Sequence, residues 1–302
     1  VDVDGKDEQV VLAGTGLEKP DSLALSISPT KNMVAFSSNR DNKRGEDGNL
    51  MSTLNLVNLD SKEVKQLAIS ERIQIIDWFG SRLVYVKISE GSKKDDINRH
   101  KIVSYDTQTN KEQELASSNY FNDVVVANGS IYYAPAAYKV NGNVGLYKIN
   151  PDGSAKKTVL SNEVWNLIRS SFEKVSVSVG QDWYELNLAN DAMTKVGSPP
   201  PSVKSRLYIA NPNNKQDNLW VDERDGKPVL LNYQVSKKSD QTVLNETGLR
   251  NPIYWLSEKH VVYRISSGSE TADYVYSLDG GQPKRIKDVV NTAGADRWYY
   301  FN

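Results

Sequence analysis

The chain has 302 residues, with 37 lysines and arginines against 38 aspartates and glutamates, and a formal net charge of −1. Hydrophobic residues make up 38% and charged residues 25%, which excludes both a disordered chain and a membrane bundle. The balanced charge argues against nucleic-acid binding, and no apolar run approaches the roughly 20 residues of a transmembrane helix. The absence of cysteine excludes thiol nucleophiles, thiolate metal sites and disulfides.

Hydrophobic hairpins recur along the chain, whereas helical periodicity is nearly absent. The one stretch with helix-like spacing, residues 163–170, is short and has no cap. The second strands of these hairpins include residues 33–36, 83–86 and 131–133, and their continuous apolar runs predict burial on both faces. Asn128-Gly129 joins the two strands of the third hairpin and is a strong turn signal.

A second, more polar hairpin alternates with the first. Asp4-Gly5, Asp152-Gly153 and Asp279-Gly280 give some of its copies a turn that tolerates positive φ. The copies repeat roughly every 40 residues, the spacing of a four-stranded propeller blade. They cover residues 1–12, 53–68, 101–116, 146–160, 183–196, 229–244 and 274–286.

Each repeat therefore combines two inner strands with two outer strands. We predict an all-β, seven-bladed β-propeller of four-stranded antiparallel blades that forms one domain over residues 1–302, with six or eight blades as alternatives. Residues 288–302 would join residues 1–13 in the last blade, so that both termini close the ring and no sheet edge stays open. The other predicted blades cover residues 22–68, 72–116, 121–160, 164–197, 203–245 and 251–287.

Two stretches resemble repeats of the TolB-like, WD40-like bacterial propellers. Residues 26–41 resemble that family's Ser-Pro-Asp-Gly-Lys pattern, followed by an aliphatic strand and Ser-Asn-Arg, with Thr30 and Asn32 in place of Asp and Lys. Residues 146–153, Leu-Tyr-Lys-Ile-Asn-Pro-Asp-Gly, resemble repeats of uncharacterised bacterial envelope proteins. The resemblance implies a non-enzymatic, extracytoplasmic propeller, in the periplasm or at the cell surface. A membrane anchor is expected, if anywhere, in an N-terminal region that precedes Val1.

The long loops of the first three blades are the predicted binding surface. Loops 39–48 and 89–99 connect second to third strands, and long loops on a rigid scaffold are where binding concentrates. Their mixed charge favours a protein or peptide partner over a polyanion. One alternative is that the loops are solvated and have no partner; another is that the propeller serves only as a scaffold for a missing N-terminal domain and binds nothing itself. The predicted binding residues are Arg40, Arg44, Lys93, Lys94, Asp95, Asp96 and, from the third blade, Tyr138.

A propeller enzyme, either a polysaccharide lyase or a hydrolase working at the central mouth, is the alternative function. Such chemistry needs an acid/base pair, for which the inner strands offer Asp77 and Asp123. We favour the interpretation that both aspartates cap solvated positions. The only histidines, His100 and His260, come without a Gly-x-Ser-x-Gly motif, so we predict structural or surface roles for them and no enzymatic activity.

The sequence predicts neither a metal nor another cofactor. Asp2, Asp4, Asp7 and Glu8 look like the start of a calcium loop, but position 12 counted from Asp2 is Ala13 rather than the glutamate that such a loop needs. We expect a monomer that binds no nucleic acid and does not insert this segment into a membrane.

Overall fold

Antiparallel β-strands form the described part of the protein. The computed structural model describes residues 10, 13, 15, 24–28, 32–136, 143–169, 173–197, 208–211, 214 and 216–288. Over these ranges the strands make six separate four-stranded sheets, each antiparallel throughout. No helix in the same ranges is long and apolar enough to cross a membrane.

Four of the sheets, which we call blades one to four, belong to the compact unit Gly14–Ser202. Blade one contains β1 (Ala24–Ile27), β2 (Met33–Ser38), β3 (Ser52–Asn58) and β4 (Val64–Ser70). Blade two contains β5 (Ile73–Phe79), β6 (Arg82–Ile88), β7 (His100–Asp106) and β8 (Lys111–Ser118). Blade three contains β9 (Tyr120–Ala127), β10 (Ser130–Ala136), β11 (Leu146–Ile149) and β12 (Lys157–Leu160). Blade four contains β13 (Asn166–Arg169), β14 (Lys174–Val179), β15 (Asp182–Asn187) and β16 (Met193–Val196).

The other two sheets, blades five and six, belong to the second compact unit, Val1–Ala13 with Val203–Asn302. Blade five contains β17 (Tyr208–Ala210), β18 (Asp217–Arg224), β19 (Lys227–Gln234) and β20 (Ser239–Asn245). Blade six contains β21 (Leu249–Trp255), β22 (His260–Ser267), β23 (Glu270–Ser277) and β24 (Lys284–Asp288).

The predicted number of blades needs correction. Six blades are present in the described ranges, so the prediction of seven is wrong there and the alternative of six is the number observed. The seventh was to come from residues 288–302 and 1–13, but Asp288 ends β24 of blade six. Of residues 289–302 and 1–13, the structure describes only residues 10 and 13. Local patterning identifies hairpins, whereas pairing between the two ends of a chain has no local signal.

The hydrophobic core lies between neighbouring blades. In β6, Leu83 and Tyr85 pack toward blade one, while Val84 and Val86 pack toward blade three. This division follows from the alternation of side chains along a strand. It confirms that the apolar run at 83–86 is buried on both faces, as the sequence predicts.

A β-bulge recurs at the start of the pairing between third and fourth strands. The register shifts at Leu54, Ile102, Leu146, Leu230 and Asp273 in blades one, two, three, five and six. Blade four pairs its corresponding strands without a shift. Because a bulge increases the local twist, its repetition shows that the repeats share backbone geometry as well as a hydrophobic pattern.

Candidate functional site on the loop face

One end of blades one to three carries the longest connections. In an antiparallel four-stranded blade, the connection from second to third strand lies at the same end as the connection to the next blade. We call this end the loop face. It comprises loop 39–51 of blade one, loop 89–99 of blade two, and the interblade connections at residues 71–72 and 119.

Loop 39–51 places its two predicted binding residues in different settings. The side chain of Arg40 is 16% exposed, with its guanidinium carbon 5.8 Å from the centre of the Phe36 ring and its Nε 3.9 Å from Asp41. Arg44 is exposed, and its Nη1 donates to the carbonyl of Gly48 at 2.8 Å. Arg44 is therefore the more accessible of the two cations.

Loop 89–99 leaves several charged side chains free. Lys93, Lys94 and Asp95 are exposed, and their side chains make no hydrogen bond or ion pair with any residue that the structure describes. Asp96 is half-buried, and its Oδ1 accepts from the amide of Asn98 at 2.8 Å. These four predicted residues share one loop. Tyr138 lies outside the described residues.

The backbone of this loop is anchored to the junction between blades two and three. The side-chain amide of Asn119 donates to the carbonyls of Lys94 and Asp96, at 2.9 and 2.8 Å. At the base of the loop, Arg99 forms an ion pair with Glu71 at 2.8 Å. Because Asn119 itself is buried, the loop is held from beneath while its charged side chains face outward.

A cavity of about 210 Å³ opens beside this loop, between blades two and three. The lining side chains come from the interblade connection and the ends of β5, β6, β7 and β9. They include Arg72, Gln74, His100, Tyr120, Asn122 and Asp123. Sequence reasoning missed this site, because Arg72 and Gln74 carry no motif and are joined to the others only by the packing of adjacent blades.

His100 forms part of the cavity wall. It is buried, its Nδ1 lies 2.5 Å from the carbonyl oxygen of Asn119, and its ring packs edge-on against Tyr120 at 5.1 Å. Since a carbonyl only accepts hydrogen bonds, Nδ1 carries the proton and Nε2 is left as an acceptor. Burial lowers the pKa of His100 and outweighs the hydrogen bond to Asn119, which raises it; the charges of Arg99 and Arg72 also lower it.

Asp123 has a positioning role in the cavity wall. Its Oδ1 accepts from the amide of Val124 at 2.9 Å, and its Oδ2 accepts from the amide of Leu167, in blade four, at 3.0 Å. Burial raises the pKa of Asp123, partly opposed by these two hydrogen bonds. Oδ2 therefore fixes the junction between blades three and four, whereas Oδ1 is held within blade three.

The other residues considered for catalysis or metal binding are not grouped with this cavity. Asp77, on β5, is exposed and accepts from the amide of Trp78 at 2.7 Å. His260 Nδ1 lies 2.8 Å from the hydroxyl of Ser257, which also accepts from the amides of Lys259 and His260 and so caps the turn. Within the described ranges, no group of three or more histidine, cysteine, aspartate or glutamate side chains is placed so that it could hold a metal ion. Residues 2, 4, 7 and 8 lie outside these ranges.

The sequence matches no known protein family and no curated protein, but the fold has solved relatives. A prolyl endopeptidase structure aligns with 92% of this chain at a TM-score of 0.56 and 13% identity. The β-propeller domain of the Trilobed protease from Pyrococcus furiosus aligns with 87% of this chain and 84% of its own, at a TM-score of 0.54 and 13% identity. That domain is described as having an open velcro topology. The chain folds as a β-propeller.

These similarities establish the fold and nothing finer, because the identities are low. The propeller spans only 44% of the prolyl endopeptidase chain. TolB from Acinetobacter baumannii also matches, at a TM-score of 0.43 and 14% identity over 85% of this chain and 61% of TolB. Membership of the TolB-like family therefore stays a prediction.

Proposed function

We propose that this propeller is a binding domain that recognises a protein or peptide through the loop face of blades one to three. One observation carries the proposal: loop 89–99 is anchored at its backbone by Asn119 while Lys93, Lys94 and Asp95 remain free. A loop already held in place loses less conformational entropy when a partner binds. Exposed charges of both signs supply complementarity to a polar chain rather than to a uniform polyanion.

A random-sequence peptide library, selected on the immobilised protein, tests this proposal. The Arg40→Gln, Arg44→Gln, Lys93→Gln, Lys94→Gln variant should bind the selected peptides about ten-fold more weakly, because each exposed ion pair contributes up to about 1 kcal/mol. Its melting temperature should change little, since three of the four side chains are exposed.

The matched control removes charge from the opposite end of the same blades. Lys62 and Lys111 are exposed and make no side-chain hydrogen bond or ion pair within the described part of the chain. The Lys62→Gln, Lys111→Gln variant should therefore keep full affinity. A library that yields no binding peptide, or peptides whose affinity survives all four loop substitutions, would refute the proposed function.

A propeller enzyme acting on polysaccharide is the second candidate, and the raised pKa of Asp123 is the observation in its favour. Both oxygens of Asp123 already accept main-chain hydrogen bonds, which favours the positioning role. Turnover of a glycan or peptide library that is lost in Asp77→Asn or Asp123→Asn would support the enzyme over the binding domain.

We also propose an extracytoplasmic location, which rests on the TolB-like pattern at residues 26–41. Fractionation of the cells that naturally produce the protein tests it. Recovery of the protein with the cytoplasm alone would contradict the proposal without affecting the binding surface.

A further inference from the structure

We propose that the cavity between blades two and three binds the carboxylate of an acidic residue in the partner peptide, with Arg72 as the anchoring group. This inference rests on the proposed function, which it refines by naming one chemical feature of the partner. The lining residue His100 directly follows loop 89–99, so the cavity lies at the base of that loop and a peptide on the loop face can insert a side chain into it.

Arg72 supplies the charge that the ligand must balance. Its side chain lines the cavity, is exposed, and makes no hydrogen bond or ion pair with any described residue. Neighbouring Arg99, by contrast, is paired with Glu71. A free guanidinium has a planar fork of donors that matches a carboxylate in bidentate geometry, and such charge-assisted pairs are about twice as strong as neutral ones.

The remaining polar groups favour a single negative charge. Gln74 and Tyr120 add free donors, because neither side chain forms a hydrogen bond with another described residue. Asp123 also lines the cavity, so a dianion such as a phosphate would meet a carboxyl group as well as a single arginine. A cationic ligand is disfavoured, since Arg72 is unpaired and both oxygens of Asp123 already accept hydrogen bonds.

The size and surroundings of the cavity favour a peptide side chain. Its volume of about 210 Å³ is below the roughly 300 Å³ at which pockets for larger small molecules begin. His100 Nε2 and the side-chain oxygen of Asn122 are acceptors for a peptide N–H, because the donor nitrogen of each side chain is already engaged. His100 Nδ1 donates to the carbonyl of Asn119, and Asn122 Nδ2 donates to the carbonyl of Val164. Tyr120 is 38% exposed and Ile97 48% exposed, which offers apolar contact to neighbouring peptide residues.

The same peptide library tests this inference through the sequences that it enriches. We expect an aspartate or glutamate at one fixed position, and an affinity at least about ten-fold lower for Arg72→Gln, since a hydrogen bond to a charged group is worth that much. Replacing the acidic peptide residue with its amide should lower the affinity for the wild type by the same factor. The same replacement should not lower the affinity for Arg72→Gln any further. Lys111→Gln is the control for loss of charge. Arg72→Lys keeps the charge without the planar fork of donors, so its affinity should lie between those of the wild type and Arg72→Gln.

Four results would overturn the inference. Enriched peptides without a fixed acidic position, or affinities that Arg72→Gln leaves unchanged, would refute the carboxylate site while the proposed binding function stands. No enriched peptide at all would refute both. If oligogalacturonate, a chain of sugar acids, bound in a way that depends on Arg72 while peptides did not bind, the carboxylate in the cavity would belong to a sugar. That result would refute the peptide partner. Unchanged melting temperatures confirm that each variant is folded.

Discussion

The ring nitrogen Nδ1 of His100 lies 2.5 Å from the main-chain carbonyl oxygen of Asn119. His100 begins the third strand of blade two, and Asn119 connects that blade to the next. Asn119 also holds loop 89–99 through its side chain. One contact thus links the junction between two blades, the anchored loop and the cavity wall.

Replacing His100 with glutamine is expected to reduce the loss of stability in acid. Burial keeps the pKa of His100 below its ordinary value of about 6.5, so the unfolded chain takes up the proton first as the pH falls. The free energy of unfolding of the wild type therefore decreases below about pH 6.5, and the variant lacks this share of the decrease. Urea unfolding at about pH 7.5 and about pH 5.5 measures it. Equal decreases in both proteins would contradict the prediction.

Substituting Asn119 with alanine should loosen loop 89–99 without unfolding the blade. Two hydrogen bonds to the carbonyls of Lys94 and Asp96 disappear, so the loop amides, including that of Arg99, should exchange with solvent about ten-fold faster. Hydrogen exchange followed by mass spectrometry measures the change. Ser117→Ala, which removes only an exposed bond to Asn98, is the control and should have little effect.

Asp191 is expected to be a major contributor to stability between blades three and four. Its buried carboxylate accepts from Tyr132 at 2.7 Å and pairs with Lys148 at 3.1 Å and Lys157 at 2.6 Å. Asp191→Asn should lower the free energy of unfolding by about 2 kcal/mol, measured by chemical denaturation. Asp182→Asn, which breaks an exposed pair with Lys195, should cost much less. Equal losses would contradict the prediction.

The same carboxylate should contribute to acid sensitivity at lower pH. Burial raises the pKa of Asp191, but hydrogen bonds from Lys157, Tyr132 and Lys148 outweigh it and leave the pKa below its ordinary value. Its stabilisation is therefore present above about pH 4 and is lost as the pH falls through the folded-state pKa.

The sequence predicts the hairpins well because their signals are local. Asn128 and Gly129 both adopt positive φ, 48° and 72°, as their turn requires, and the apolar run at 83–86 divides between two interfaces. The sequence does not indicate strand β13, because this strand lies within residues 163–170, whose spacing is helix-like. Packing between blades overrides that weak local pattern.

The candidate site was predictable only in part, because its residues meet through tertiary packing. Loop 89–99 is visible as a long charged segment, but nothing local indicates that Asn119 anchors it from beneath. Arg72 and Asp123 are distant in sequence and line one cavity only because adjacent blades pack side by side. The number of blades depends likewise on long-range pairing, which periodicity does not determine.

Gly248 should be intolerant of a side chain. It adopts φ of +94°, and a Cβ there would collide with the carbonyl oxygen of Ser266. Gly248→Ala should therefore lower the free energy of unfolding by more than Gly226→Ala, where φ is +73° but the space is open and only backbone strain of about 1 kcal/mol remains. Thermal unfolding of both variants measures the difference, and equal losses would show that the close approach at Gly248 costs nothing.

Hydrogen–deuterium exchange of the protein, free and bound to its highest-affinity selected peptide, tests the loop face as a binding surface most directly. We expect the peptide to slow exchange in residues 89–99 and in the cavity segments 71–74 and 119–123. Exchange should be unchanged at the opposite end of the same blades, in turns 59–62 and 107–110. Slower exchange at that opposite end, with none on the loop face, would contradict the proposed function.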